Sequence, residues 1–141
     1  MRKKYFLSTY LLLFSTLFLV AQPPQKMSFQ SVIRDGNNNL VVNRTIGIKI
    51  SIIKTFPNGI AVYEETHQGT TNGNGLLTLE IGTGTPTPGS SFSSIEWENG
   101  DYFLKSEIDL QGGNQYTLIG TQQLITVPYS FHSGTSNFAD S

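Results

Sequence analysis

The chain has 141 residues, enough for one domain, and a formal net charge of −1 from nine Lys and Arg against ten Asp and Glu. A chain with so few basic residues lacks the positive surface that nucleic-acid binding requires, so we expect no nucleic-acid partner. It contains no cysteine, so the hydrophobic core must stabilise the fold without disulfides. Abundant Gly, Thr, Ser and Asn favour strands and turns over helices.

The first 21 residues have the pattern of a secretory signal peptide. Residues 2–4 are basic, Tyr5–Val20 is an uncharged apolar run, and Ala21 offers a small residue for cleavage, although Leu19 at the −3 position leaves the exact site open. The run is shorter than the roughly 18–20 residues of a spanning helix. We therefore expect cleavage rather than a membrane anchor. The mature chain would have a net charge of about −4 and no membrane span, and it would be secreted or held at the outer cell surface.

Alternation with a period of two residues follows this leader and predicts half-buried strands. Met27–Arg34 is the first strand. Thr45–Lys54 is the strongest, because isoleucine at every second position predicts the buried face of a central strand. Asp35, Asn37 and Asn39 have the spacing that begins a calcium loop, but the later glycine and glutamate of that motif are missing. We expect an ordinary turn there.

Ile60–Gln68 predicts the third strand. Glu64 and Glu65 are neighbours on it and point to opposite faces, so they cannot act together as an acid–base pair. His67 stands alone near the strand end, where we expect a surface position rather than a ligand role. Gly82–Thr85 is glycine-rich, but it lacks the Lys-Ser/Thr of a phosphate loop and is followed by prolines instead of a helix.

The remaining predicted strands lie in the C-terminal half. A short helical turn at Ser93–Trp97 precedes a strand over Tyr102–Asp109, which forms a hairpin with Gln115–Val127. We expect Gly120 to mark a bulge or a bend, because the alternation is lost there until Leu124. The residues expected on the inner faces are Leu77, Leu79, Ile81, Tyr102, Leu104, Ser106, Ile108, Tyr116 and Leu118.

Together these strands predict a single antiparallel all-β sandwich of about seven or eight strands, Ig-like or transthyretin-like, over residues 22–128. Pro128 ends the sheet, and residues 129–141 are expected to form a polar exit segment. Edge strands of such a domain can pair with another chain, so the expected partners are other surface proteins or a second copy.

Five blocks of the sequence also resemble a known kind of module. They are similar to the N-terminal β-sandwich of large secreted or surface proteins of Bacteroidetes type, which often continue into collagen-like repeats, tail-fibre-like stalks or an intramolecular-chaperone peptidase domain. The resemblance implies a sandwich without catalytic residues. In that family the segment after the sandwich contains alanine and continues into helix-prone sequence. Residues Ser130–Ser133 of this chain differ from that pattern, so a following stalk is implied only by analogy. The blocks are Gln25–Arg34, Asn72–Leu76, Ile81–Gly84, Ile95–Lys105 and Leu124–Ser130.

Two non-catalytic functions fit these patterns. The first is a structural or adhesion module of an exported assembly. The second is carbohydrate binding, in which exposed rings stack on a glycan; the candidate residues are Trp97, Tyr102, Tyr63 and Tyr129. We favour packing of Trp97 and Tyr102 over the sandwich core, because large aromatic residues usually take that role.

We predict that the chain is not an enzyme and holds no cofactor. It has no cysteine nucleophile and no serine in a Gly-x-Ser-x-Gly elbow, and its two histidines, His67 and His132, lack the spacing of metal ligands. A pair of carboxylates from separate strands, as a glycosidase uses, is the enzymatic alternative. The acidic residues, however, are expected mostly at outward strand positions or in turns, where they are solvated.

Overall fold

The computed structural model describes residues 25–124, which form two antiparallel β-sheets. The predicted all-β sandwich is confirmed, with seven strands in this range, no α-helix, and one 3₁₀ turn at Phe92–Ser94. The predicted signal peptide and exit segment lie outside the described residues. The strands are β1 (Met27–Val32), β2 (Thr45–Lys54), β3 (Ala61–Thr70), β4 (Leu76–Ile81), β5 (Thr85–Pro86), β6 (Tyr102–Asp109) and β7 (Leu118–Leu124).

The two sheets differ in width. The large sheet has the order β5-β3-β2-β6-β7, and the small sheet consists of β1 and β4. The chain passes from one sheet to the other after β1, after β3 and after β4. Each sheet therefore contains segments that are distant in sequence, and the two sheets fold as one unit.

Strand β2 is the centre of the large sheet, as predicted, with β3 on one side and β6 on the other. Its bounds match the predicted ones, because alternate isoleucines on one face fix which side is buried. Burying a side chain of this size contributes about 1.5–3 kcal/mol relative to leaving it exposed. A one-residue slip in register would expose the whole face. The four fully buried residues are Ile46, Ile48, Ile50 and Ile52.

The hydrophobic core lies between the two sheets. In β4 the alternation is as predicted, with Leu77 and Ile81 fully buried and Thr78 and Glu80 exposed. The same core receives side chains from β1, from the loops and from the large sheet. The other buried residues in it are Phe29, Ile33, Val41, Tyr63, Ile95, Tyr102, Leu104 and Ile108.

Of the bulge or bend predicted at Gly120, the bulge is wrong. The pairing of β6 with β7 is regular along its whole length, and the irregularity of the sheet lies instead between Ile52 and Ile53, opposite β3. The alternation is lost at Gly120 for another reason. Strand β7 lies at the edge of the large sheet, and the two-stranded sheet opposite is too narrow to cover it, so both faces of its middle residues are exposed.

Tyr116 was predicted to face the core, and this is also wrong. It lies in the loop before β7 and is not among the residues of the core cluster. This loop crosses the outer face of the large sheet, since a side chain at Gly47 would collide with the backbone oxygen of Gly113. The strand begins at Leu118, which does pack against the core as predicted.

Candidate functional site

Glu65, in the middle of β3, carries a buried and heavily hydrogen-bonded carboxylate. Its side chain has no solvent exposure. The hydroxyl of Tyr63 donates to Oε2 over 2.7 Å, and Nε2 of His67 lies 2.8 Å from Oε1. An ionised carboxylate only accepts hydrogen bonds, so this ring nitrogen is the donor. The three side chains meet because residues two apart on a strand point to the same side.

The glycine-rich stretch after β4 completes this arrangement, which we call the Glu65 cluster (Tyr63, Glu65, His67, Gly82 and Gly84). The backbone N–H of Gly82 donates to both carboxylate oxygens, over 2.9 and 3.1 Å, and that of Gly84 donates to Oε2 over 3.0 Å. The loop thus presents N–H groups to an anion, as a phosphate loop does. Here the anion is a carboxylate of the same chain.

Electrostatics hold this carboxylate in its charged form. Burial raises the pKa of Glu65, but the hydrogen bonds from Tyr63, His67 and Gly82 outweigh it and bring the pKa below its usual value. Burial, and then the hydrogen bond to Glu65, raise the pKa of the Tyr63 hydroxyl well above its usual value. The cluster therefore joins a neutral phenol to an ionised carboxylate at neutral pH.

Two expectations from the sequence are corrected here. His67 was expected at the surface, but its side chain is only 10% exposed and is paired with Glu65. Glu65 is not a solvated outward acid, because the Gly82–Gly84 loop packs over it. The signal in the sequence was the same-face spacing of Tyr63, Glu65 and His67. The prediction that Glu64 points the other way is confirmed, since it lies 3.2 Å from Lys49 on the outer face.

Two other carboxylates, those of Asp35 and Asp109, close turns. Asp35 accepts the backbone N–H groups of Asn39 and Asn37, so the predicted ordinary turn is present. These backbone contacts hold the pKa of both aspartates below the usual range. The donors to Asp109 are the N–H groups of Gln111, Gly113 and Gln115. Within residues 25–124, no group of three or more His, Asp or Glu side chains could hold a metal ion.

Three of the four aromatic residues proposed from the sequence lie in one row. Phe92, which the sequence reasoning missed, joins Tyr63 to Trp97 with ring centroids 5.3 and 5.8 Å apart, and Trp97 lies 5.1 Å from Tyr102. Tyr63 and Tyr102 are buried, at 3% and 4% exposure, whereas Trp97 is 39% exposed. Trp97 is therefore the most exposed ring of the row, and Phe92 beside it is half-buried. Tyr129 lies outside the described residues.

Strand β7 presents the longer free edge of the large sheet. Among the described residues it pairs only with β6. Its seven residues include no charge and no proline, and Ile119 is 63% exposed. The opposite edge, β5, is two residues long and contains Pro86. Natural sheets usually protect a long edge with charges, prolines or bulges, and β7 has none of these.

The sequence of this sandwich matches one known protein family. A family model described as a domain of unknown function (DUF8740) matches residues 28–123. The chain belongs to this family. The match runs from the second residue of β1 to the residue before the end of β7, so the DUF8740 domain coincides with the sandwich. No curated protein and no solved structure matches the chain. No helix within residues 25–124 is long and apolar enough to span a membrane.

Proposed function

We propose that this DUF8740 protein is a non-catalytic structural or adhesion module of an exported cell-surface or secreted assembly. The observation that carries the proposal is the long, uncharged and unprotected edge of β7. A free strand edge recognises another chain through backbone hydrogen bonds, which is how sheets add strands from a partner. The predicted leader and the resemblance to surface modules support the same role, with other surface proteins or a second copy as partners.

The polar groups of the sandwich support a non-catalytic role. Every oxygen of the Glu65 carboxylate accepts hydrogen bonds from the protein itself, so none is free to exchange a proton with a substrate. Lys49 on the outer face lies between Glu64 and Glu107, at 3.2 and 3.5 Å. The carboxylate of Asp109 accepts a hydrogen bond from the backbone N–H of Gln111 in the turn before β7. These groups hold loops and strands in place.

The proposal is tested in the cells that make the protein. A photoreactive benzophenone amino acid at Ile119, on the free edge, should cross-link the chain to a partner on intact cells. The same residue at Thr78, exposed on the outer face of the small sheet, is the matched control and should cross-link much less. The intact mass of the recovered protein should correspond to a chain that lacks residues 1–21. Recovery only from the cytosol, with Met1 retained, would overturn the proposal.

Trp97 favours a second candidate function, glycan binding. Its ring is 39% exposed and is held from two sides by Phe92 and Tyr102, so it could stack on a sugar without first becoming ordered. Trp97 is the single tryptophan of the chain, so its fluorescence reports directly on that ring. A saturable change in emission on titration with soluble glycans would support this function. No change with a broad glycan panel would exclude it for those sugars.

A further inference from the structure

We infer that β7 pairs antiparallel with β7 of a second copy of the chain, with Thr121 at the two-fold axis of the resulting dimer. This pairing rests on the assembly role proposed above and assigns it a partner and a register. It would join the two large sheets into one continuous sheet of ten strands.

The edges of the large sheet explain why such an assembly closes as a dimer. Strand β7 offers seven consecutive residues with regular geometry, because its pairing with β6 shows no register shift. The other edge offers two residues, and Pro86 has no N–H group to donate. Pairing through a two-fold axis uses the same edge in both copies. Among the described residues the joined large sheet then ends in the two-residue β5 on each side, while β1 and β4 of the small sheet take no part in it. A symmetric pair of this kind is a closed interface rather than the start of a fibre.

The sequence of β7 is complementary to itself in this register. A two-fold axis at Thr121 places Leu118 opposite Leu124 of the partner subunit. Both leucines pack against the core in the single chain, so the pairing would extend the apolar layer across the axis. On the outer face, the exposed Ile119 would meet Gln123 of the partner subunit. On the inner face, Gln122 of the partner subunit would lie against the uncovered Gly120.

The charges near β7 do not oppose the approach of a second copy. The strand itself carries none. On the neighbouring strand β6, Lys105 and Glu107 lie 3.3 Å apart and neutralise each other. Like charges placed directly opposite on paired strands are unfavourable, and this register creates no such pair. The interface is one pair of short strands, smaller than the roughly 1,200–2,000 Å² of a standard complex, so we expect micromolar rather than nanomolar affinity.

The test uses the 141-residue chain, expressed from Met1 in a host that exports it. Sedimentation velocity over a wide concentration range measures the monomer–dimer equilibrium. The variants Thr121→Lys and Thr121→Glu each place two like charges opposite one another at the axis. Each should weaken the dimer about fivefold or more. Thr78→Lys adds the same charge to an exposed strand position of the small sheet and should leave the equilibrium unchanged.

Mixing the two Thr121 variants in equal amounts tests the register. The lysine of one copy then faces the glutamate of the other, and dimers should form at least as readily as in the unmodified protein. Recovery in the mixture would also show that both variants are folded.

Three results would overturn the pairing: an unmodified chain that stays monomeric, a Thr121→Lys variant that associates as tightly as Thr78→Lys, or a mixture that stays monomeric. Any of them, found with an exported protein that still cross-links through Ile119, would refute this pairing and leave the assembly role standing. A chain that is never exported would refute the role itself.

Discussion

Replacing Glu65 by glutamine should destabilise the sandwich by about 2 kcal/mol at neutral pH. The substitution keeps the size of the side chain but removes its charge. Four donors bond to this carboxylate, and a hydrogen bond to a charged acceptor contributes about 1 kcal/mol more than one to a neutral acceptor. The lower cost of burying a neutral amide offsets part of the resulting loss of about 4 kcal/mol. In a domain of this size, a net loss of 2 kcal/mol lowers Tm by roughly 8 °C.

The destabilisation should depend on pH in a defined direction. The folded-state pKa of Glu65 is lower than its usual value, so its ionisation stabilises the fold above the unfolded-state pKa of about 4.3. This stabilisation disappears as the pH falls through the folded-state pKa and the carboxylate is protonated. The Glu65→Gln variant has no carboxylate at this position. The difference in unfolding free energy between the two proteins should therefore be largest above about pH 5 and shrink towards pH 3.

Urea unfolding followed by the fluorescence of Trp97 measures both effects. Glu64→Gln is the matched control, because the same change one residue earlier affects a side chain that is 31% exposed and paired with Lys49 on the outer face. A pair this exposed contributes less than about 1 kcal/mol. Equal losses in the two variants would refute the role assigned to the Glu65 cluster. So would a loss at Glu65 that is undiminished at pH 3.

Three further predictions concern the core, a close backbone contact and the aromatic row. Ile50→Ala should cost about 2–5 kcal/mol in urea unfolding, because it leaves a cavity in the fully buried face of β2, whereas Ile60→Ala, at 86% exposure, should cost less than about 0.5 kcal/mol. Gly47→Ala should cost about 3 kcal/mol or displace the loop before β7, since its methyl group would collide with the Gly113 backbone oxygen. Gly73→Ala, in open space, should be close to neutral, and calorimetry would separate the two. Trp97→Phe should cost about 1 kcal/mol by thermal unfolding, because the smaller ring reduces contacts with Phe92 and Tyr102 on either side of it in the aromatic row.

The fold was predictable wherever one face of a strand is fully covered. Isoleucine at every second position defined β2 to the residue, because exposing that face is costly in any other register. The same logic gave the inner face of β4, where Leu77 and Ile81 are buried. It failed at Gly120, since an edge strand that is incompletely covered tolerates polar residues on both faces. The alternation is lost there because neither face of the strand is buried. In the sequence, such a strand looks the same as one interrupted by a bulge.

The Glu65 cluster was not predictable in full, because its donors come from two places in the chain. Tyr63 and His67 share a face of β3 with Glu65, and that spacing was available in the sequence. The remaining donors, the N–H groups of Gly82 and Gly84, reach the carboxylate only because the chain crosses from the small sheet to the large one at that point. Backbone donors leave no side-chain signature, so only the presence of glycine hinted at them.

The hydrogen bonds from backbone N–H groups determine which substitutions the segment Gly82–Thr85 can accept. Because the N–H groups hold the carboxylate, neither Thr83 nor Thr85 donates a side-chain hydrogen bond to Glu65. The Thr83 hydroxyl donates instead to the backbone oxygen of Glu80 over 2.7 Å, an exposed hydrogen bond whose loss should cost about 1 kcal/mol or less. Gly82 has φ of 99° and a close backbone neighbour, and a side chain at Gly84 would lie 2.6 Å from the His67 ring. A mutational scan should therefore find alternating intolerance along four residues, with positions 82 and 84 restricted to glycine and positions 83 and 85 open to many residue types.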